Sequence, residues 1–313
     1  VLHGGDYGDR RKYASFATTQ FIETRYRAPL RARGIREHVI VGNHDCFLRD
    51  STEINSIEEL YRHDTSLSIY SQPTEIEIDG CGILMMPWVC GNTREQSLQL
   101  LQTSSCPVVL GHFEIEGFQM YRGMPNHDGM NPSVFDRYEL VMSGHYHHKS
   151  SKGNIHYLGA FAEYTWTDYN DPRGFHIFDT TNREMEFIRN PYDMFVKIFY
   201  DDTKQDFDWW KGYAFSELKS TYVKVVVVNK QNPYLFDHVI DSIYKGSASD
   251  IAIVEDFNDA VLDSDDDLVD QAEDTITILN KYIDNLQLDV EPDKLKTIMR
   301  ELYVEALNTE VTE

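Results

Sequence analysis

Four times along this chain a short apolar run stops at a glycine and is followed at once by Asp, Asn or His. Gly5-Asp6-Tyr7-Gly8-Asp9 follows Val1-Leu2, and Gly42-Asn43-His44-Asp45 follows Val39-Ile40-Val41. Gly111-His112 follows Val108-Val109-Leu110, and Gly144-His145-Tyr146-His147 follows Leu140-Val141-Met142. Short continuous apolar runs bounded by turn residues read as strands buried on both faces. In an α/β sheet the carboxyl ends of such strands line one edge, and ligand sites gather there. Four polar segments far apart in sequence can therefore converge. The glycine in front of each lets the backbone turn sharply and approach whatever is bound.

The intervening segments suit a layered α/β core. Residues 13–33 have helical composition, with Phe16, Phe21 and Ile22 as buried anchors. A helix is expected from Ser56, acting as N-cap, to Arg62. Asp79-Gly80 marks a hairpin into Ile83-Leu84-Met85-Met86, and a helix follows over 93–103. After about Pro191 the character changes. Strands over 195–200 and 222–228 and a helix over 235–244 suggest a small α+β module. An acid-rich linker and two helices close the chain. The second helix carries Leu295, Ile298, Met299, Leu302 and Tyr303 on one stripe.

Charge bears on the choice of partner. The net charge of −23 argues against a general nucleic-acid binder. Its distribution softens that argument: residues 1–190 carry 18 basic against 25 acidic side chains, and residues 191–313 carry 11 against 27. The first 64 residues are balanced at 10 against 10, with Arg10 and Arg11 in their basic cluster. Cys46, Cys81, Cys90 and Cys106 form no CxxC pair, which points to a reducing, cytoplasmic compartment. No apolar run approaches the ~18 residues of a membrane helix.

Asp, Asn and His together are oxygen and imidazole donors suited to first-row divalent cations. A carboxylate such as Asp6 can bridge two of them, and a pair ~3.5–4 Å apart forms a clamp for in-line displacement at phosphorus. His145 and His147, two apart, would point to one side of an extended segment.

The order of the motifs, GD-x-x-D, GNHD, GH and GHxH, resembles the calcineurin-like metallophosphoesterase superfamily. The block Tyr157-Leu158-Gly159-Ala160, with Thr165 to Phe175 (TWTDYNDPRGF), selects the SbcD/Mre-type DNA-repair nuclease branch, in its T-even bacteriophage form. That resemblance implies a four-layer αββα sandwich over 1–190, a small α+β capping, DNA-binding domain over 191–255, an acidic linker over 256–270 and an ATPase-binding helix pair over 271–313. It implies two divalent ions, most fittingly Mn2+, with Mg2+ or Zn2+ as alternatives. Asp6 would bridge them, Asn43, His112 and His145 would complete one site, and His147 would serve the other. His44 would orient the phosphodiester and protonate the leaving oxygen, a role suited to imidazole. The family opens on a strand bearing Asp-x-His, so an upstream segment completing the second site is expected.

The implied activity is double-strand 3′–5′ exonuclease and single-strand endonuclease in DNA recombination, repair and replication. The implied partners are DNA, an SbcC-type ATPase and a second copy of the chain, in the host cytoplasm. A phosphomonoesterase or protein phosphatase, or a non-catalytic DNA-end tether, are the competing readings. Asp9 is expected to support the site loop. Arg10, Arg11 and His148 are candidate DNA contacts, His127 is placed in a surface loop, and Trp209-Trp210 are placed in the core of the small module. Cys46 lies beside the site without a base partner, which excludes it as a nucleophile.

Overall fold

The computed structural model describes residues 1–121, 124–127, 129–255 and 294–296. A six-stranded sheet runs in the order Ser150–Lys152, Ile155–Tyr157, Leu140–Ser143, Val108–Gly111, Cys81–Met86 and Thr74–Ile78. Its four inner strands are parallel, and each edge strand pairs antiparallel with its neighbour. A second sheet of Leu2–His3, Glu37–Ile40 and Leu67–Tyr70 is parallel throughout.

Alternation explains why these runs are strands. Ile83, Met85, Val108, Leu110, Leu140 and Met142 are buried with Ile40 of the second sheet. Their neighbours Leu84, Met86, Val109 and Val141 point the other way and are buried with Leu101 of the helix Arg94–Thr103. Both faces of the inner strands are thus covered, as a parallel sheet requires. Val39 and Leu67 of the second sheet, with Val41 just beyond it, pack with Cys46 and with Ile57 of the helix Ser56–Tyr61.

Two expectations are corrected. The helical stretch over 16–32 forms, with a π turn at Glu23–Arg27 in its middle. Its anchor is not aromatic, because Phe16 is 94% and Phe21 65% exposed. Arg27 is buried instead, 2.7 Å from Glu37 and 2.6 Å from Asp64. The buried Glu37 carboxylate requires a cation, and that pairing decides which face of the helix turns inward. The second correction is a cap. Asn55, not Ser56, starts the next helix: its side chain accepts from the Glu58 amide at 2.9 Å, while the Ser56 amide donates to the Asp45 carbonyl.

Beyond residue 190, Phe195–Asp201, Tyr222–Asn229 and Asp250–Val254 form a separate three-stranded sheet, parallel in both pairings. Helix Pro233–Lys245 buries Leu235, Phe236, Val239 and Ile243 on it. Trp210 is buried in this core, whereas Trp209 is half exposed. The acidic linker and the helix pair lie outside the described residues, apart from a helical turn at 294–296. Among the described residues, no helix is long and apolar enough to cross a membrane.

Candidate metal centre

Each of the four motifs leaves the carboxyl end of a parallel strand, and their loops meet. Strand Leu2–His3 runs into Asp6, and Glu37–Ile40 into Asn43 and His44. Val108–Gly111 and Leu140–Ser143 are hydrogen-bonded neighbours, so His112 and His145 emerge side by side. Close approach depends on small residues. A Cβ on Gly42 would strike the Asp6 carboxylate and the His112 ring, and one on Gly144 would strike the Gly4 carbonyl. Asp6 (φ 55°) and His145 (φ 81°) hold left-handed backbone conformations that cost non-glycine residues roughly 1–3 kcal/mol each.

Ligand atoms of Asp6, His112 and His145 all lie within 4.8 Å of one another. His112 Nε2 is 2.8 Å from Asn43 Oδ1 and 3.2 Å from Asp6 Oδ2. His145 Nδ1 is 3.1 Å from Asn43 Oδ1 and 3.2 Å from His112 Nε2. The far nitrogen of each ring is held as a donor. His112 Nδ1 donates to the Gly4 carbonyl at 2.7 Å, and His145 Nε2 faces Glu114 Oε1 at 3.2 Å. Two imidazole lone pairs, an amide oxygen and a carboxylate therefore point into one space. Four such groups held this close need positive charge between them, a proton on His112 or a cation, and the donor set fits a first-row divalent ion.

The electrostatics agree. Burial alone would push the Asp6 carboxyl up, but His112, His44 and His145 hold it well below the usual carboxylate range. Burial would lower the His112 pKa, yet Asp6 raises it; burial and the neighbouring His112 lower that of His145. Burial pushes the Cys46 thiol up to about 12, so it is no nucleophile.

Of the other predicted residues, His44 adjoins this group directly. The His44 amide donates to Asp6 Oδ1 at 2.9 Å, and its ring Nδ1 lies 2.8 Å from the Asp9 carbonyl. Asp9 thus orients His44 through its backbone. His147 stands apart from the Asp6–His112–His145 group, 3.7 Å from Asp168. His148 pairs with Asp171 at 2.9 Å, the same carboxylate that meets Arg173 at 3.0 Å. Arg10 bonds the Tyr13 hydroxyl, and Arg11 keeps a buried guanidinium nitrogen without a hydrogen-bond partner. His127 is exposed.

Three contributors carried no separate signal in the sequence. Asp45 accepts the amides of Asp6, Tyr7, Gly8 and Gly42, pinning the first two loops together. Glu114 fixes the His145 ring, and Trp88 packs against both His112 and His145 at 6.0 and 5.4 Å between centroids. Asp45 closes the Gly42-Asn43-His44-Asp45 motif, so its presence at the site, though not its role, is legible in sequence.

No family model matches the chain. Exonuclease subunit 1 of Enterobacteria phage T4 is 31% identical to it over 306 residues, covering 96% of this chain and 86% of that protein. At that identity over nearly its whole length, the chain belongs to the family of the T-even-type phage recombination nuclease subunit represented by exonuclease subunit 1.

Proposed function

We propose that this chain is the metal-dependent nuclease subunit of an SbcCD-type complex, cutting duplex DNA as a 3′–5′ exonuclease and single strands as an endonuclease. The carrying observation is the convergence of Asp6, Asn43, His112 and His145 acceptors directly beside His44. Asp6, Asn43, His112 and His145 would hold one divalent ion, and Asp6 with His147 would contribute to a second, Mn2+ being the best fit. When bound, such ions supply positive charge that polarises a phosphodiester and acidifies water. His44 is outside the clustered donors, and with Nδ1 bonded to the Asp9 carbonyl its Nε2 is left to protonate the leaving oxygen. Arg10 and Arg11 lie on the same loop and contact backbone phosphates.

The four-layer αββα reading is supported by the two-sided burial of the inner strands. The parallel module over 191–255 serves as the capping, DNA-binding domain. The linker over 256–270 and the helices over 271–313, with their apolar stripe, dock an SbcC-type ATPase. That partner compensates for the acidic charge of this chain by supplying basic surface for DNA, and a second copy completes the complex.

The test is an assay on end-labelled duplex and on circular single-stranded DNA with Mn2+, Mg2+ or Zn2+, using p-nitrophenyl phosphate as control. Release of nucleotides from duplex ends supports the reading. Turnover of the monoester alone would replace it with a phosphomonoesterase, and DNA binding without cleavage in any metal would replace it with a tether.

A further inference from the structure

The loop after His147 carries two large rings in solvent. Phe161 is 62% and Tyr164 48% exposed, although the residues that hold them are buried. The rings meet edge to face, 5.8 Å between centroids at 89°. Tyr164 in turn packs edge-on against the His147 ring at 5.6 Å and 62°. Three rings thus form a continuous run from solvent to His147, two residues after His145.

The loop bearing them is fixed. Asp168, 1% exposed, accepts the Tyr164 amide at 2.7 Å and the Thr165 amide at 3.1 Å. Its other oxygen takes Arg173 Nη2 at 2.7 Å, and Arg173 also bonds the His147 carbonyl. Upstream, the Ala160 carbonyl accepts from Gly174, and the Phe161 carbonyl accepts from Asn190 at 2.9 Å. Exposed aromatic rings usually lose apolar burial and gain nothing. Here a fixed backbone presents two of them beside His147, which preorganises a flat apolar surface for a flat apolar ligand.

The geometry points to a base-stacking platform: Phe161 and Tyr164 hold an unpaired nucleobase at the end of a DNA strand and set its backbone toward the centre. This rests on the nuclease reading above. A nucleobase is favoured over a protein side chain because the run of rings ends on His147, two residues after His145 and assigned to the second ion in the nuclease reading, so a strand end held on the rings lies next to the residues that reading gives to its phosphodiester. Every base offers a stacking face, so the platform is indifferent to sequence. A paired base is already stacked and gains little from it.

The experiment uses the full chain with EDTA, so that nothing is cleaved. The probes are a blunt duplex and the same duplex with a short single-stranded tail carrying 2-aminopurine. The unsubstituted chain should prefer the tailed probe and quench the 2-aminopurine. Phe161→Ala and Tyr164→Ala should each weaken tailed binding by about 5- to 150-fold, the range for loss of a stacking aromatic. They should also relieve the quenching and leave blunt-duplex affinity within twofold, and Phe161→Trp should restore tailed binding. Unchanged tail preference in both alanine variants overturns the platform and leaves the nuclease reading standing. Equal losses on both probes also overturn it. Unchanged quenching with lost co-purification of a partner ATPase would assign the rings to a protein contact instead. No DNA binding by the unsubstituted chain would overturn the platform, while the nuclease reading is judged by the cleavage assay above.

Discussion

His44 Nδ1 lies 2.8 Å from the backbone carbonyl of Asp9, a partner that can only accept, so this nitrogen carries the proton and the ring is fixed. His112 and His145 are likewise tied through one nitrogen, but their other nitrogens cluster with Asp6, and His44 is not part of that cluster. Replacing His44 by Ser should therefore cut DNA turnover by ~10²–10⁴-fold, the worth of a general acid. Bound metal, measured by elemental analysis after dialysis, should stay at the unsubstituted level. A loss of metal would make His44 a ligand.

Glu114 holds the His145 ring through Nε2. The hydrogen bond from His145 keeps the Glu114 carboxyl below its ordinary range, so the contact is made by a carboxylate. Glu114→Gln keeps the shape but loses the charge that fixes the tautomer. Metal affinity should fall by about 10–100-fold, the usual cost of removing an outer carboxylate from a ligand histidine. Titration with Mn2+, read by calorimetry, checks this, and circular dichroism should show no change in fold.

These two residues mark what a sequence discloses. Asp6, Asn43, His112 and His145 could be located because a glycine after an apolar run is a local signal, and parallel strands carry such ends to one edge. Glu114 and Trp88 could not be, because their part depends on ring orientation across different strands. Phe16 and Phe21 show the limit from the other side. Helical spacing groups residues on a face but does not say which face turns inward, and here the buried Glu37 selects Arg27. Asn55 and Ser56 are both good caps, and the choice between them rests on a bond from Ser56 to Asp45, made in tertiary structure. The helix pair expected over 271–313 lies outside the described residues, so its stripe remains a sequence reading.

The Arg27 cluster should make stability depend on pH. Partial burial would raise the Asp64 carboxyl, but Ser66 and Arg27 hold it well below the usual range. The unfolded chain, with an ordinary Asp pKa of about 3.9, takes up that proton first as pH falls. The contribution is therefore complete above roughly pH 5 and is lost as pH drops through about 3.9 toward the folded value. Denaturation midpoints measured from pH 7 to 3 should fall along this limb, and Asp64→Asn should flatten it. At neutral pH, Glu37→Gln would leave Arg27 with Asp64 as its remaining carboxylate partner and should cost about 1.5–3 kcal/mol, the worth of a hydrogen bond to a charged group.

Arg173 is the last case, and it separates fold from site. Its guanidinium, 5% exposed, meets Asp168 at 2.7 Å and Asp171 at 3.0 Å and bonds the His147 carbonyl. Arg173→Met keeps the apolar stem but leaves two buried carboxylates unpaired by any arginine, which should cost about 3–5 kcal/mol of stability. Lys offers charge without the planar fork that spans two carboxylates and a carbonyl, so Arg173→Lys should recover only part of that loss. The local consequence is distinct. With Asp168 released from Arg173, the loop over 160–173 and the His147 main chain lose a common anchor, while Asp6, Asn43, His112 and His145 keep all their contacts. Metal titration of Arg173→Lys, below its melting temperature, should therefore leave tight binding at the Asp6–His112–His145 group unchanged. Any second, weaker binding event that involves His147 should weaken further. If the tight event is lost instead, the two halves of the site are coupled through Arg173 more closely than their separate hydrogen bonds imply.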